Sequence, residues 1–273
     1  MTRILGVIGD PIAHSLSPLI HNVWLDEAGI DARYDPIQVM QGALKSTLDD
    51  LANRAAVGVN VTLPHKHDAL ALAVQASPAA EKIGAANTLT LSDDGNWHAD
   101  NTDAPGLLRA LGMSGIDDAS NMEVLVLGAG GSARAAVYAL TAAGAKVTIL
   151  NRTLERAAAL NDDVGNEDSV YGPTDLLIEK AASADLIINT TSGGYAGHIH
   201  NLPVGGGRLF LDISYGSAAA QQLAHAGAQN WQVQDGLGML VAQAAESFNI
   251  WFGQMPETES ALARCRVAVE GVS

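Results

Sequence analysis

The stretch from Met122 to Thr153 constrains the fold of this chain more than any other. Glu123-Val-Leu-Val-Leu127 is a short apolar run that ends directly on a glycine turn, Gly128-Ala129-Gly130-Gly131. Ser132-Ala-Arg-Ala-Ala-Val-Tyr-Ala-Leu140 follows with helical spacing, and Lys146-Val-Thr-Ile-Leu150 is a second apolar run. Strand, glycine turn, helix and strand within about thirty residues read as the βαβ unit that binds a dinucleotide in doubly wound α/β domains. The residue types have physical reasons. Gly128 permits the tight turn, and Gly130 lets the main chain approach a pyrophosphate. Ala133, at the third position of the fingerprint, is small enough for helix and strand to pack closely. The helix N-terminus at Gly131 and Ser132 offers unpaired N–H groups to an anion.

The end of the second strand separates two cofactors. A carboxylate there would hold the ribose 2′-hydroxyl of NAD and would repel a 2′-phosphate. This chain has Asn151-Arg152-Thr153 instead, with Arg156 one helical turn on. A guanidinium can grip a phosphate with two parallel hydrogen bonds. NADP is therefore the expected cofactor.

Length and charge narrow the rest. A chain of 273 residues can bury a sizeable core in one or two domains. The formal net charge of −15 argues against nucleic acid and against an anionic membrane surface. No apolar run approaches the roughly 20 residues needed to span a bilayer. The apolar stretch inside Met1–Asp10 is too short for a signal peptide. A single cysteine, Cys265, excludes an intramolecular disulfide, fits a reducing cytoplasm, and reads as an inert residue on the last helix. His65-Lys-His67 and His198-Ile-His200 lack carboxylate or cysteine companions at ligand spacing, so no metal site is expected. An acidic protein must bind anionic ligands locally, through helix N-termini and a few placed Arg, Lys, Ser and Asn groups.

Before the glycine turn, strands are expected at Arg3–Ile8, Ala32–Val39 and Val57–Leu63. Helices are expected at Ser17–Ala28, with Ser17 as N-cap and Pro18 in first position, at Gly42–Asn53, and from Pro64. Ala85–Leu91 and Asn96–Ala99 form a hairpin around the turn pair Asp94-Gly95. After it, Asp185–Asn189 and Arg208–Ile213 suit buried parallel strands, Trp231–Val233 is a weaker one, and Leu237–Phe252 is helical. Alternation of strands and helices on both sides of the turn implies two α/β domains with a cleft between them. One, with a mixed sheet, spans residues 1–103 and is completed by C-terminal helices in 237–273. The other, of Rossmann type, spans 104–236.

Polar residues collect at the predicted strand ends of the first domain. Ser15 and Ser17 stand two apart before a helix, and Asn60 and Thr62 share one face of a strand. Asn87 and Thr88 sit at the hairpin. Lys66 contradicts a local preference: it lies in the first turn of a helix, beside the positive end of the dipole, where acidic residues are favoured. A cation in that position is poised to give up its proton, and such contradictions mark functional sites. Asp103 precedes a helix as a candidate N-cap. Facing Lys66, it would complete an acid/base pair for the proton of a carbinol.

These motifs together resemble the shikimate dehydrogenase family along almost the whole chain. Gly9-x-Pro-Ile-x-His-Ser-x-Ser-Pro-x-x-His-Asn22, Asn60-Val-Thr-x-Pro-x-Lys66, Gly84-Ala-Ala-Asn-Thr88, Asn101-Thr-Asp103, Gly128-Ala-Gly-Gly131, Asn151-Arg-Thr153 and Asp235-Gly-Leu-Gly-Met-Leu-Val-x-Gln-Ala244 follow in family order. The resemblance implies reversible reduction of 3-dehydroshikimate to shikimate by NADPH, in aromatic amino-acid biosynthesis. It implies Lys66 and Asp103 as the catalytic pair. Ser15, Ser17 and Tyr215 would hold the substrate carboxylate; Thr62, Asn87, Asp103 and Gln243 would bind the ring hydroxyls, with Asn60 a further substrate-binding residue. Cofactor contacts would come from Gly128, Ala129, Gly130, Gly131, Ser132, Asn151, Arg152, Thr153, Arg156, Thr190, Gly236 and Met239. Departures are small at Ser132, where alanine is usual, and at Ala86, where valine is usual. The Gly/His-rich segment from Gly193 to Pro203 is unusual.

Three other readings compete. A dual quinate/shikimate dehydrogenase using NAD conflicts with Arg152 and Arg156. A non-catalytic NADP-binding regulator would be marked by loss of Lys66 or Asp103, and both are present. A methylene-tetrahydrofolate dehydrogenase-like enzyme shares the architecture without the seven motifs. The choice between monomer and homodimer stays open at this level.

Overall fold

Two six-stranded sheets organise a computed structural model that describes residues 2–54 and 56–271. The chain divides into two compact units, Met1–Gly106 with Leu240–Cys265, and Leu107–Met239 with Arg266–Ser273. In the first, β1 (Arg3–Gly9), α1 (Ser17–Glu27), β2 (Ala32–Gln38), α2 (Leu44–Asn53), β3 (Ala56–Val61), α3 (Lys66–Leu72), β4 (Gln75–Ala76), α4 (Pro78–Ile83), β5 (Thr88–Leu91) and β6 (Trp97–Asp100) follow in order. The strands lie as β2-β1-β3-β5-β6-β4. β1 runs parallel to both its neighbours, while β5 is antiparallel to β3 and to β6. The expected hairpin is present, with Gly95 at φ +80° in its turn. Ile8, Val59, Val61 and Leu89 bury one sheet face against Leu44, Leu48 and Leu51 of α2.

α5 (Asp103–Gly112) leads into the second unit. There follow β7 (Glu123–Leu127), α6 (Gly131–Ala142), β8 (Lys146–Asn151), α7 (Leu154–Val164), β9 (Val170–Pro173), α8 (Leu177–Ala181), β10 (Leu186–Asn189), β11 (Leu209–Asp212), α9 (Ser217–Ala228) and β12 (Gln232–Gln234). All pairs are parallel in the order β12-β11-β10-β7-β8-β9, the doubly wound arrangement that reverses direction between β7 and β10. Strand periodicity explains why β7 has no polar face beyond its first residue. Val124 and Val126 enter the core with α6 and α7, while Leu125 and Leu127 enter the core with α8 and α9. α10 (Leu237–Phe252) carries the chain back to the first unit, and α11 (Glu259–Glu270) ends the described residues of regular structure.

α2 begins at Leu44, two residues past its expected start at Gly42, and the starts of α1, α3 and α5 also differ from expectation, those of α1 and α5 for one cause. α1 begins at Ser17 itself, with Leu16 in the cap position. Its Ser17 N–H is accepted by Ser15 Oγ, at 3.3 Å. α5 begins at Asp103 itself, and Asn101 Oδ1 accepts the Asp103 N–H at 3.1 Å. In both, the side-chain oxygen two positions upstream accepts the N–H of the first helical residue and leaves that residue's side chain to other partners. α3 begins at Lys66, not at Pro64. Pro64 has no N–H and lies inside a turn closed by the His65 N–H on Thr62 O, at 3.0 Å.

α10 packs an aromatic cluster against α1 in the first unit. The His21 ring stacks on Tyr34, centroids 4.2 Å apart and planes within 8°, and meets the edge of Trp24 at 5.6 Å. Phe248 and Trp251 of α10 close the cluster. Trp24 Nε1 donates to Glu257 O at 2.8 Å, and Trp251 Nε1 donates to Leu89 O at 3.2 Å. His21 is fully buried, and neither ring nitrogen makes a hydrogen bond of full geometry among the described residues. Burial pulls its pKa down to about 3, a weaker contact with the Asn60 side chain offsetting only part of the loss.

That burial has a pH signature. The unfolded chain takes up a proton on His21 near pH 6.5 and the folded chain only near pH 3, so this group's contribution to stability falls as pH drops through that window. Urea unfolding from pH 7 to pH 4 should show a shallower acid loss in His21→Phe than in the parent protein. Parallel curves would mean that His21 is not held neutral.

Candidate active site

Strand register brings the polar motifs of the first unit together. Asn60 pairs across the sheet with Thr88, and Thr88 pairs with Asp100. The chain then turns through Asn101, Thr102 and Asp103 into α5, so three sequence-distant motifs meet at one sheet end. Asn60, Asn87, Thr88, Thr102 and Asp103 are all buried polar residues. Buried polar groups of this kind must be paired or pay a desolvation cost.

Lys66 Nζ donates to Asp103 Oδ2 at 2.5 Å, with both side chains about nine-tenths buried. Asp103 Oδ1 accepts from Asn87 Nδ2 at 2.9 Å, so both carboxylate oxygens are engaged and the plane of the group is fixed. The Ala86 N–H donates to Lys66 O at 2.9 Å, which ties the helix carrying the lysine to the strand entry carrying Asn87. Asn87 Oδ1 accepts the Thr102 N–H at 2.7 Å, which sets the orientation of its amide. Its Nδ2 then faces Thr102 Oγ1, Asp103 Oδ1 and Gln243 Oε1 at 2.9–3.0 Å. Two hydrogens cannot serve three acceptors at once, and the Thr102 hydroxyl, which also faces Gln243 Oε1 at 3.4 Å and Ser247 Oγ at 3.1 Å, shares in the network.

A second layer supports this one. Tyr34 Oη donates to Asn60 Oδ1 at 2.7 Å, and Asn60 Nδ2 faces Ser247 Oγ at 2.8 Å. Ser247 also meets Thr88 Oγ1 at 2.8 Å and Thr102 Oγ1 at 3.1 Å. Tyr34 and Ser247 carry no local signal in the sequence, because they reach Asn60 across 26 and 187 residues. Thr62 lies just past β3, half-buried, with its N–H on Ile8 O at 2.8 Å. Ser15 is half-buried and Ser17 is buried at the start of α1. Tyr215 belongs to the second unit, in the segment after β11.

In the second unit the glycine turn follows β7 as expected. Gly128 has φ +112°, and a Cβ there would lie 2.5 Å from Thr190 Oγ1, so the position needs glycine twice over. Thr190 Oγ1 donates to Leu127 O at 2.7 Å, which places it against the turn. A Cβ on Gly130 would meet nothing within 4 Å, and no side chain caps α6. The main-chain face of Ala129, Gly130, Gly131 and Ser132 is thus open to an anion, with Ala133 buried beneath it. Asn151 Nδ2 donates to Thr153 O at 2.8 Å. Arg152 and Arg156 are exposed beyond it, with no ion pair among the described residues. A Cβ on Gly236 would lie 1.9 Å from Ile213 O, so its backbone approach also requires glycine. Met239 packs into the core of this unit.

The unusual segment after Thr190 is tied down. Gln222 of α9 clamps the main chain of His200, with Oε1 accepting the His200 N–H at 2.5 Å and Nε2 donating to its carbonyl at 3.1 Å. Asp212 Oδ2 accepts from Asn189 Nδ2, and Asn189 Oδ1 accepts from Thr191 Oγ1, both at 2.8 Å. The Thr191 hydroxyl has spent its hydrogen, so it accepts from His200 Nε2 at 3.2 Å, which assigns the proton to that nitrogen. Burial holds the Asp212 carboxyl above the usual range and the His200 imidazole below it. Cys265 is buried, and burial pushes its thiol up to about 11, which leaves little thiolate.

The chain matches three protein-family models in succession. These are the shikimate dehydrogenase substrate binding domain over residues 7–89, shikimate / quinate 5-dehydrogenase over 110–204, and the shikimate 5'-dehydrogenase C-terminal domain over 236–266. It is 48% identical over 273 residues to a shikimate dehydrogenase (NADP(+)) of Hyphomonas neptunium, covering 100% of both chains. Among solved structures it is similar to shikimate dehydrogenase of Aquifex aeolicus, with TM-score 0.87 and 34% identity over 96% of this chain and 97% of that one. It is also similar to shikimate 5-dehydrogenase of Thermus thermophilus in complex with shikimate, with TM-score 0.86 and 36% identity over 98% and 99%. The mixed sheet, the doubly wound sheet and the full-length likeness together make this chain a member of the shikimate dehydrogenase family.

Proposed function

We propose that the protein is an NADP-dependent shikimate dehydrogenase that interconverts shikimate and 3-dehydroshikimate, working in the reducing direction with NADPH. The family and the names of its relatives support the oxidoreductase class and the cofactor. One observation carries the reaction: a buried lysine held 2.5 Å from a carboxylate whose other oxygen is already engaged. The first unit then serves as the substrate-binding domain and the second as the cofactor domain. The one cysteine of the chain, Cys265, is buried and suits a reducing cytoplasm.

The second unit fits the cofactor. The open main-chain face at Gly130 and Gly131 suits a pyrophosphate, and the exposed Arg152 and Arg156, where a carboxylate would exclude it, suit a 2′-phosphate. When bound, the nicotinamide supplies hydride to the carbonyl carbon or accepts it from the carbinol carbon. Lys66 meets the charge that develops on the substrate oxygen and provides the proton there; in the other direction it receives that proton. Such transfer from a positioned group is worth about 10²–10⁴ in rate. Asp103 holds the ammonium in place and accepts a hydrogen bond from the reacting group. Thr62, Asn87 and Gln243 bind the ring hydroxyls. Ser15 and Ser17 hold the substrate carboxylate, with Tyr215 as a further donor.

Steady-state oxidation of shikimate and of quinate, each with NADP and with NAD, tests the proposal. Turnover confined to shikimate and NADP is expected. Comparable quinate or NAD turnover would make it a dual enzyme, and no turnover at all would make it a regulator. Lys66→Ala should lower kcat by about 10²–10⁴ with little change in KM for shikimate. Near-normal kcat in that variant would remove Lys66 from the mechanism. Arg152→Ala should weaken NADPH binding about tenfold or more while NADH is nearly unaffected, as a lost charge-assisted phosphate contact requires. Equal losses for both would mean that Arg152 does not read the phosphate.

A further inference from the structure

We infer that His200 is a positioning residue for the cofactor, holding the Thr191 side chain against the glycine turn where the pyrophosphate would lie. This role rests on the NADP site proposed above and extends it to a histidine of the Gly/His-rich segment, outside the motifs of the sequence.

Residues 192–199 form an excursion beyond β10 whose two ends meet. At its base the Thr191 hydroxyl and His200 Nε2 face each other at 3.2 Å, and the His198 N–H donates to Gly193 O at 3.0 Å. Two positions of α9 one turn apart, Ala218 and Gln222, seat the two limbs. On the outgoing limb a Cβ on Gly194 would lie 1.9 Å from Ala218 O, so that approach requires glycine. On the returning limb Gln222 Oε1 accepts the His200 N–H at 2.5 Å, and Gln222 Nε2 donates to His200 O at 3.1 Å. Gln222 is buried, whereas Tyr195 in the middle of the excursion is exposed. The main chain of His200 is therefore held independently of its ring.

The ring has one polarity open to it. Asp212 Oδ1 accepts the Ser214 N–H at 2.9 Å, and Oδ2 accepts from Asn189 Nδ2 at 2.8 Å. That sets the Asn189 amide, whose Oδ1 accepts the Thr191 N–H at 3.1 Å and the Thr191 hydroxyl at 2.8 Å. With its hydrogen given away, Thr191 Oγ1 offers only lone pairs, and His200 Nε2 must donate. Two hydrogen bonds on Oγ1 fix the rotamer of a β-branched side chain, which leaves its methyl one direction. That direction is the glycine turn: a Cβ built on Gly128 would stand 3.4 Å from Thr191 Cγ2 and 2.5 Å from Thr190 Oγ1. Thr190 is bonded to the same turn, its N–H and its hydroxyl both donating to Leu127 O, at 2.9 and 2.7 Å. His200 thus bears on the anion site through Thr191. Without its N–H, Thr191 keeps one hydroxyl partner of two and the wall of the turn loosens.

The test is titration of the full-length protein with NADPH, followed by nicotinamide fluorescence without substrate. The parent protein, His200→Ala, His200→Gln, Thr191→Ala and the double alanine variant are compared. Glutamine can place an amide N–H where Nε2 stands, so it should restore what alanine removes. Expected is about three- to tenfold weaker NADPH binding in His200→Ala, the size of one hydrogen bond, and near-parent binding in His200→Gln. In the Thr191→Ala background, His200→Ala should add much less than it does alone, since the two act as a unit. In steady state the KM for NADP should rise while the KM for shikimate stays within about twofold. The melting temperature should move by only a few degrees. Unchanged NADPH affinity in His200→Ala, an equal loss in His200→Gln, losses that multiply independently, or a matching rise in the KM for shikimate would overturn the inference. Should His200→Ala be insoluble, Thr191→Ala decides: weakened NADPH binding supports the inference and parent-like affinity overturns it. Failure of the parent protein to bind NADPH would instead overturn the proposed function, and this inference with it.

Discussion

The first unit is built around the Lys66–Asp103 contact. Taking two charges out of water is costly, and in most proteins an apolar pair of equal volume would stabilise the fold as well or better. Keeping such a pair requires that every remaining lone pair find a partner. Asn87 meets that need for Asp103, Thr102 holds Asn87 through its main chain, and Ser247 gathers Thr88, Thr102 and Asn60 behind it. The register of β3, β5 and β6 exists in the form that lets these groups meet. A slip of one residue would turn Asn60 and Thr88 to the opposite face and leave the pair uncompensated.

The second unit solves a different problem with the same economy of charge. A chain with net charge −15 repels anions at long range, so a phosphate must be held by devices effective at short range. Unpaired N–H groups at the start of α6 are one such device, and they demand that nothing protrude from Gly130. Arg152 and Arg156, unspent on ion pairs among the described residues, are another. Thr190, donating to Leu127 O beside Gly128, ties the end of β10 to the glycine turn at the point where strand order reverses.

Much of this fold is legible in the sequence because burial writes a strong pattern. β1, β3, β7, β8, β10 and β11 are central or apolar strands and lie within a residue or two of their expected ends, and α10 spans Leu237–Phe252 as expected. β9, at a sheet edge with three of four residues exposed, carries no such pattern, and β4 is two residues long. α9 is rich in alanine, and small residues contrast little with their neighbours. Helix starts shift by a residue or two from their expected places where the capping group is not the residue that invites the reading: Ser15 serves Ser17, Asn101 serves Asp103, and a turn occupies Thr62–His65.

By itself the sequence determined the two α/β halves, the glycine turn, the absence of a carboxylate after β8, and the polar types at Ser15, Ser17, Asn60, Lys66, Asn87 and Asp103. These are local properties: periodicity, turn chemistry and residue identity within a few positions. Tertiary structure alone decided which of them touch. Lys66 reaches Asp103 across 37 residues, Tyr34 reaches Asn60 across 26, and Ser247 reaches Asn60 across 187. Such pairings follow from strand register and helix packing, which the whole core sets together, and no short window of residues encodes them.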